Sequence, residues 1–180
     1  MPAESVAENL QFIINHEFNK NRPCSTHLGP SLTVEKITEL MGPVTSNVDV
    51  GIHEDILELY TTTDGIQMDG SQLALKEIWL LPGYYLMSLE EAVDVYKIML
   101  ESAEDDGQYW DKLWFPFLSS GAGDFYFIDM ASGTVNEFMR GEDIDEEAEY
   151  ETMADFLQQA VQHFADEDFY MDEEGQLSEK

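Results

Sequence analysis

Four histidines, one cysteine and 38 carboxylates are the side chains of this 180-residue chain that could carry acid, base, nucleophilic or metal chemistry. His16, His27, His53 and His163 lie in separate segments. None forms the H-x-x-x-H, H-E-x-x-H or H-x-H spacing that turns two imidazoles toward one metal ion. Each therefore reads as an ordinary surface or half-buried residue. Cys24, alone, excludes an intramolecular disulfide and a thiolate zinc site, and no motif sets a base beside it. Gly121-Ala122-Gly123-Asp124 is too short for a dinucleotide fingerprint or a P-loop and is followed by a strand pattern, not a helix. Its glycines serve a tight turn or bulge. Asp166-Glu167-Asp168 and Asp172-Glu173-Glu174-Gly175 hint at a cation site, but the EF-hand spacing fails at the required glycine and at the final glutamate. At this density of carboxylates, a neighbouring Asp and Glu say nothing about a glycosidase-like pair. No nucleophile, base and stabilising donor can be assembled. The expectation is a protein that is not an enzyme and uses no cofactor or metal.

Charge says more than motif. The formal net charge is -30, far beyond what solubility requires, and it disfavours nucleic acid and anionic membranes as partners. A basic protein is the electrostatic complement, although a salt-adapted or merely very soluble surface has the same composition. Between Arg140 and Glu151 stand seven acids and one base, a solvated loop or a recognition surface. The candidate partner-binding residues are Glu142, Asp143, Asp145, Glu146, Glu147 and Glu149, with Asp64, Asp69 and Asp124 from loops expected at one edge of a sheet. The start, Met1-Pro2-Ala3-Glu4-Ser5, has no basic leader, and no apolar run nears the ~18 residues of a membrane span. A cytoplasmic protein is expected.

The elements that must position these acids follow from periodicity. Apolar residues at helical spacing predict a helix over Ser5–Lys20, with Val6, Leu10, Ile13, Ile14 and Phe18 inward. Leu32 to Met41 reads as a second helix stopped by Gly42-Pro43, and Glu54 to Thr62 as a third, with Ile56, Leu57 and Tyr60 buried. Ile66-Gln67-Met68, a turn at Asp69-Gly70-Ser71, Leu73-Ala74-Leu75 and Ile78–Leu81 read as the first strands. Tyr84–Met87 reads as a strand or an approach to a helix. Ser88 and Glu91 form a capping box for a helix reaching about Ala103. Leu113–Ser119, Phe125–Asp129 and Thr134–Met139, parted by glycine-bearing turns, read as three strands of a meander. Trp114, Phe115, Phe125 and Phe127 are its core. Thr152 opens a last helix with Met153, Phe156, Leu157, Ala160, Val161 and Phe164 on one face. After Asp166 the acids return and suggest a loosely held tail.

Trp114-Phe115-Pro116-Phe117, the Gly-x-Gly-Asp turn, Phe125-Tyr126-Phe127-Ile128-Asp129 and the Ser132-Gly133-Thr134-Val135 turn occur in an order that resembles the SUKH superfamily. These are immunity proteins of bacterial polymorphic and contact-dependent toxin systems, together with fungal regulators of cell-wall synthesis. Ile52–Tyr60 with Asp64-Gly65 is similar to the family's first helix and the turn ending it. Thr152–Leu157 is similar to its closing helix. The resemblance covers about Leu32 to Phe164. It implies an α+β fold: a single domain with a largely antiparallel central sheet of about 4–6 strands flanked by α-helices. The expected layout is a helical extension over 1–30, the α+β domain over 31–165 and the acidic tail over 166–180. The resemblance further implies a protein that binds and neutralises a cognate toxin by covering its active or substrate-binding site. The charge makes a basic toxin, such as a nuclease, the natural partner. The alternative is an intracellular regulatory or scaffold protein with other basic partners.

Overall fold

The computed structural model describes residues 5–67, 73–106, 109–144 and 147–180. In chain order its elements are α1 (Val6–Asn19), α2 (Pro23–Thr26), α3 (Val34–Leu40), α4 (Gly42–Thr45), α5 (Glu54–Thr62), α6 (Leu75–Ile78), β1 (Tyr85–Leu86), α7 (Leu89–Asp106), β2 (Trp114–Ser119), β3 (Phe125–Asp129), β4 (Val135–Phe138), α8 (Met153–Ala165), β5 (Phe169–Met171) and β6 (Leu177–Glu179). Strands β1 to β4 form an antiparallel meander in sequence order, and β5 and β6 form a separate hairpin. The protein is α+β.

Alternation along β3 decides what covers the sheet. Phe125 and Phe127 meet the Trp110 ring, at centroid separations of 6.5 and 5.5 Å, while Tyr126 between them meets Phe156 of α8 at 4.8 Å. Successive side chains of a strand point to opposite faces, so Trp110 and α8 lie on opposite sides of the sheet. Phe115, Phe117, Phe127 and Phe138 are almost wholly excluded from solvent; Trp114 is half-buried. Proline in a central strand is tolerated here because the β2–β3 register shifts between Pro116 and Leu118, a bulge that removes the need for its missing N–H.

The three longest helices are held at their N-termini in one common way. Each begins with a side-chain cap of its own: Ser5 accepts from the Glu8 amide at 3.2 Å, Ser88 from the Glu91 amide at 3.2 Å and Thr152 from the Asp155 amide at 3.0 Å. Each also gives its first helical N–H to a carboxylate from α5 or the turn after it. Val6 donates to Glu58 at 3.2 Å, Leu89 to Asp64 at 2.9 Å and Met153 to Asp55 at 3.3 Å. The first turn of a helix carries unpaired donors and the positive end of the dipole, so a carboxylate there satisfies both. Gly65 lets the chain pass closely beside this junction: its φ is +68°, and a Cβ there would stand 2.2 Å from the Met87 carbonyl oxygen.

Several expectations need correction. Leu75–Ile78 is a helical turn rather than a strand, because the Glu77 carboxylate reaches back to the Ala74 amide at 2.7 Å and closes the turn. Ile66 makes only isolated bridges, to Leu28 and Met87. Met68 and the turn at Asp69-Gly70-Ser71 lie outside the described residues. Gly42-Pro43 ends α3 but opens α4, with proline in its first turn. Phe18 is 61% exposed, and Glu17 lies buried beside it instead. That carboxylate accepts from Arg22 Nε at 2.9 Å, while Arg22 also donates to the Trp79 carbonyl at 2.9 Å. Cys24 is buried against the same pair, and burial pushes its thiol up to about 12, which leaves it unreactive. The residues after Asp166 do not trail away: Met171 pairs with Leu177 across a hairpin whose turn is fixed by Asp172 accepting from the Glu174 and Gln176 amides, both at 2.9 Å. Leu177 is buried. Phe169, Tyr170 and Met171 are followed by a single apolar residue, Leu177, among the acids, which is too little to show a strand period.

Burial raises the carboxyl pKa of both Asp55 and Asp64, against the lowering effect of the amides they accept from. A folded value above the unfolded one contributes stability that is fully present below the unfolded value, near 3.9, and is lost as pH rises through the folded value. The urea midpoint should therefore fall as pH rises from about 4, and fall less in the Asp55→Asn/Asp64→Asn double variant. At neutral pH, Asp64→Ala should cost about 1 to 2 kcal/mol through the lost cap on α7. An unchanged midpoint would show that the carboxylate does not hold the helix.

Candidate functional site

Strand β4 is the last of the meander. On its outer edge Val135 exchanges two 3.0 Å backbone hydrogen bonds with Tyr150. Between these two residues the chain leaves the sheet and returns, so the loop and the end of β4 enclose a groove of about 760 Å³. Glu137, Glu142, Asp143, Glu147 and Glu149 line it together with Met139 and Ile144, and among the described residues no lysine or arginine does. The Glu149 amide donates to Asn136 Oδ1, which anchors the returning limb to the strand. Met139 is exposed, and Ile144 is half-buried among the acids.

Of the sequence-derived candidates, the structure brings together Glu142, Asp143, Glu147 and Glu149 at this groove. Asp145 and Glu146 belong to the same loop but lie outside the described residues, as does Asp69. Asp64 and Asp124 are elsewhere and are engaged within the fold. Asp64 sits two residues before Ile66, which bridges Met87 beyond the β1 side of the sheet, the edge opposite β4. Its two oxygens accept from the Leu89 amide and from Gln67. Asp124 closes the β2–β3 turn by accepting from the Ser120 hydroxyl at 3.2 Å, and accepts from the Arg140 amide at 3.0 Å. It thereby fixes the start of the acidic loop. The expectation that Asp64 and Asp124 share one loop cluster at one edge is therefore replaced by two structural aspartates and one acidic groove.

Beside the groove is a group that the residue pattern did not single out. Tyr84 donates to Glu137, its ring meets Tyr126 edge-on at 4.9 Å, and both Tyr126 and Tyr150 contact Phe156, at 4.8 and 5.0 Å. These rings surround a second hollow of about 200 Å³, which Glu149 and Glu179 also line. Burial and the surrounding carboxylates raise all three phenols: Tyr150 goes to about 12, and Tyr84 and Tyr126 go higher still. The signal available in the sequence was the hairpin register, since a turn over Asp129–Thr134 sets Tyr126 opposite Glu137.

The arrangement defines a class: an α+β protein whose last sheet strand carries an acidic groove next to an aromatic hollow. A model of the SMI1 / KNR4 family (SUKH-1) matches residues 44–159, and the chain belongs to that family. The SUKH family is known as a family of immunity proteins and is not a known enzyme family. No curated protein matches the chain. The matched span runs from α4 into α8 and contains the whole meander, the groove and the three tyrosines; α1 to α3 and the β5–β6 hairpin fall outside it. Among the described residues, no helix is long and apolar enough to cross a membrane, and no cluster of three His, Cys, Asp or Glu side chains gathers to hold a metal ion.

Raised phenols make the folded state favour the protonated ring. That contribution is present below the unfolded value, near 10, and is lost as pH rises through the folded values. Ultraviolet titration should show Tyr150 ionising near pH 12, in a step absent from Tyr150→Phe, with alkaline unfolding close behind. Ionisation of Tyr84, Tyr126 and Tyr150 near pH 10 in the folded protein would contradict the buried, carboxylate-flanked geometry.

Proposed function

We propose that this protein is an immunity protein that binds a cognate basic toxin and neutralises it by covering its active or substrate-binding site. Membership of the family carries the reading, and the groove supplies a physical means. A nuclease must present a basic surface to hold phosphates, and a concave face lined by five carboxylates, Glu137, Glu142, Asp143, Glu147 and Glu149, can occupy the same field. On this reading the loop from Glu142 to Glu149, including Asp145 and Glu146, steers the encounter, while Asp64 and Asp124 act by holding the fold. Asp69 is a further candidate contact for the partner.

The reading is tested by retaining partners on the tagged protein from its native host at low and moderate salt, then measuring association with the protein recovered. Replacing Asp143, Asp145, Glu146 and Glu147 together by Ser should slow association several-fold at low ionic strength, leave thermal unfolding intact, and lose most of its effect in high salt. Equal association rates for the two proteins would remove this loop from the interface. A diffuse set of basic proteins that washes away at moderate salt would favour a regulatory or scaffold protein instead.

A further inference from the structure

On the Trp110 side of the sheet, the C-terminal half of α7 and the end of β4 border a trough of about 310 Å³. Phe125 and Phe138, partners across β3 and β4, line it from the sheet. They pack against each other at 6.3 Å and against Trp110 at 6.5 and 5.2 Å, so this side of the trough is held in place with nothing bound. Ile98, Met99 and Ala103 line it from α7, and Ile98 is 58% exposed. Arg140 completes it by laying its stem across the β2–β3 turn, where a Cβ on Gly123 would stand 3.4 Å from Arg140 Cδ. The bond from the Arg140 amide to Asp124 at 3.0 Å fixes that stem's origin.

Exposed apolar surface bordered by polar residues marks a contact site. The lining is aliphatic and aromatic, and Arg140 adds methylenes to it, so the group that fits is apolar. The charge around the trough sets what flanks that group. Glu101 stands between the lining residues Met99 and Ser102, Asp124 between Gly123 and Phe125, and Glu142 and Asp143 follow Arg140 by two and three positions. Hydrogen bonds such as those Asp124 accepts leave the carboxylate charge in place, so these acids outnumber Arg140. Lys97, next to Ile98, is paired with Asp94 at 3.0 Å. A negative rim favours a partner whose apolar residue is accompanied by positive ones. The trough also adjoins the acidic groove, because Met139 of the groove lies between Phe138 and Arg140 of the trough.

We infer that this trough is the apolar anchor site of the interface and takes one large aliphatic or aromatic side chain that the basic partner presents between lysines or arginines. The inference rests on the proposed reading in taking the partner to be a basic protein. It divides the labour at the end of β4: the acidic loop sets the rate of encounter, and burial in the trough sets how long the complex lasts.

The test follows the isotopically labelled full chain by nuclear magnetic resonance with three blocked tripeptides, Lys-Leu-Lys, Lys-Ala-Lys and Glu-Leu-Glu. Lys-Leu-Lys should shift the methyl signals of Ile98, Met99 and Ala103 and bind at least about five-fold more tightly than either of the others. Its advantage over Lys-Ala-Lys should persist in high salt, while its advantage over Glu-Leu-Glu shrinks. Ile98→Glu, at an exposed helical position, should weaken Lys-Leu-Lys by about five-fold or more. If that variant does not fold, the three peptides on the unaltered protein decide. Equal binding of the leucine and alanine peptides, or unmoved methyl signals, would overturn the anchor, and equal binding of Glu-Leu-Glu would overturn the basic occupant. A chain that sediments as a dimer, and as a monomer once Ile98 is replaced by Glu, would assign the trough to a second copy and overturn it as well. Each of these results would leave the neutralisation reading standing, since that is judged by the partner's own activity.

Discussion

Three carboxylates from one short helix and the turn after it hold the first turns of the three longest helices: Glu58 on α1, Asp64 on α7 and Asp55 on α8. The rest of the structure depends on this junction. Helix α8 covers one face of the sheet through Phe156, and α7 leads directly from β1, so fixing their starts sets what packs against the meander. The bonds join helix N-termini, which carry unpaired donors and partial positive charge, to side chains that burial would otherwise leave unsatisfied. The desolvation cost is visible in the raised carboxyl pKa values of Asp55 and Asp64.

The same solution recurs because the chain has few cations. With eight Lys and Arg against 38 Asp and Glu, many carboxylates at turns are satisfied by backbone amides. Asp111 accepts from Leu113, Asp124 from Arg140, Asp129 from Ala131 and Ser132, and Asp172 from Glu174 and Gln176. Among the described residues, the buried pair of opposite full charges is Glu17 with Arg22. Carboxylates used in turns and caps are part of the fold. Those of the loop after β4 instead line a groove that, among the described residues, has no lysine or arginine in its wall.

The meander, the helices over Glu54–Thr62 and Met153–Ala165, and the caps at Ser88 and Thr152 were legible because each rests on local periodicity or on a hydroxyl at a fixed offset from the amide it accepts. The carboxylates that reinforce those caps were not legible, since Asp55 and Met153 are 98 positions apart. Charge density pointed to the loop from Glu142 to Glu149 but could not distinguish it from Asp64 and Asp124, whose backbone partners are set by tertiary structure. The aromatic hollow was hidden for a related reason. Tyr84, Tyr126, Tyr150 and Phe156 come from four separate segments, and a run such as Phe125-Tyr126-Phe127 reads as core until the sheet assigns its middle residue to the other face.

The central claim is neutralisation, and it is tested most directly by titrating the toxic or enzymatic activity of the retained partner with the purified protein. The account predicts that activity falls in proportion to added protein and vanishes at the stoichiometric point, with inhibition weakened by salt. A partner that remains fully active when saturated with this protein would contradict it.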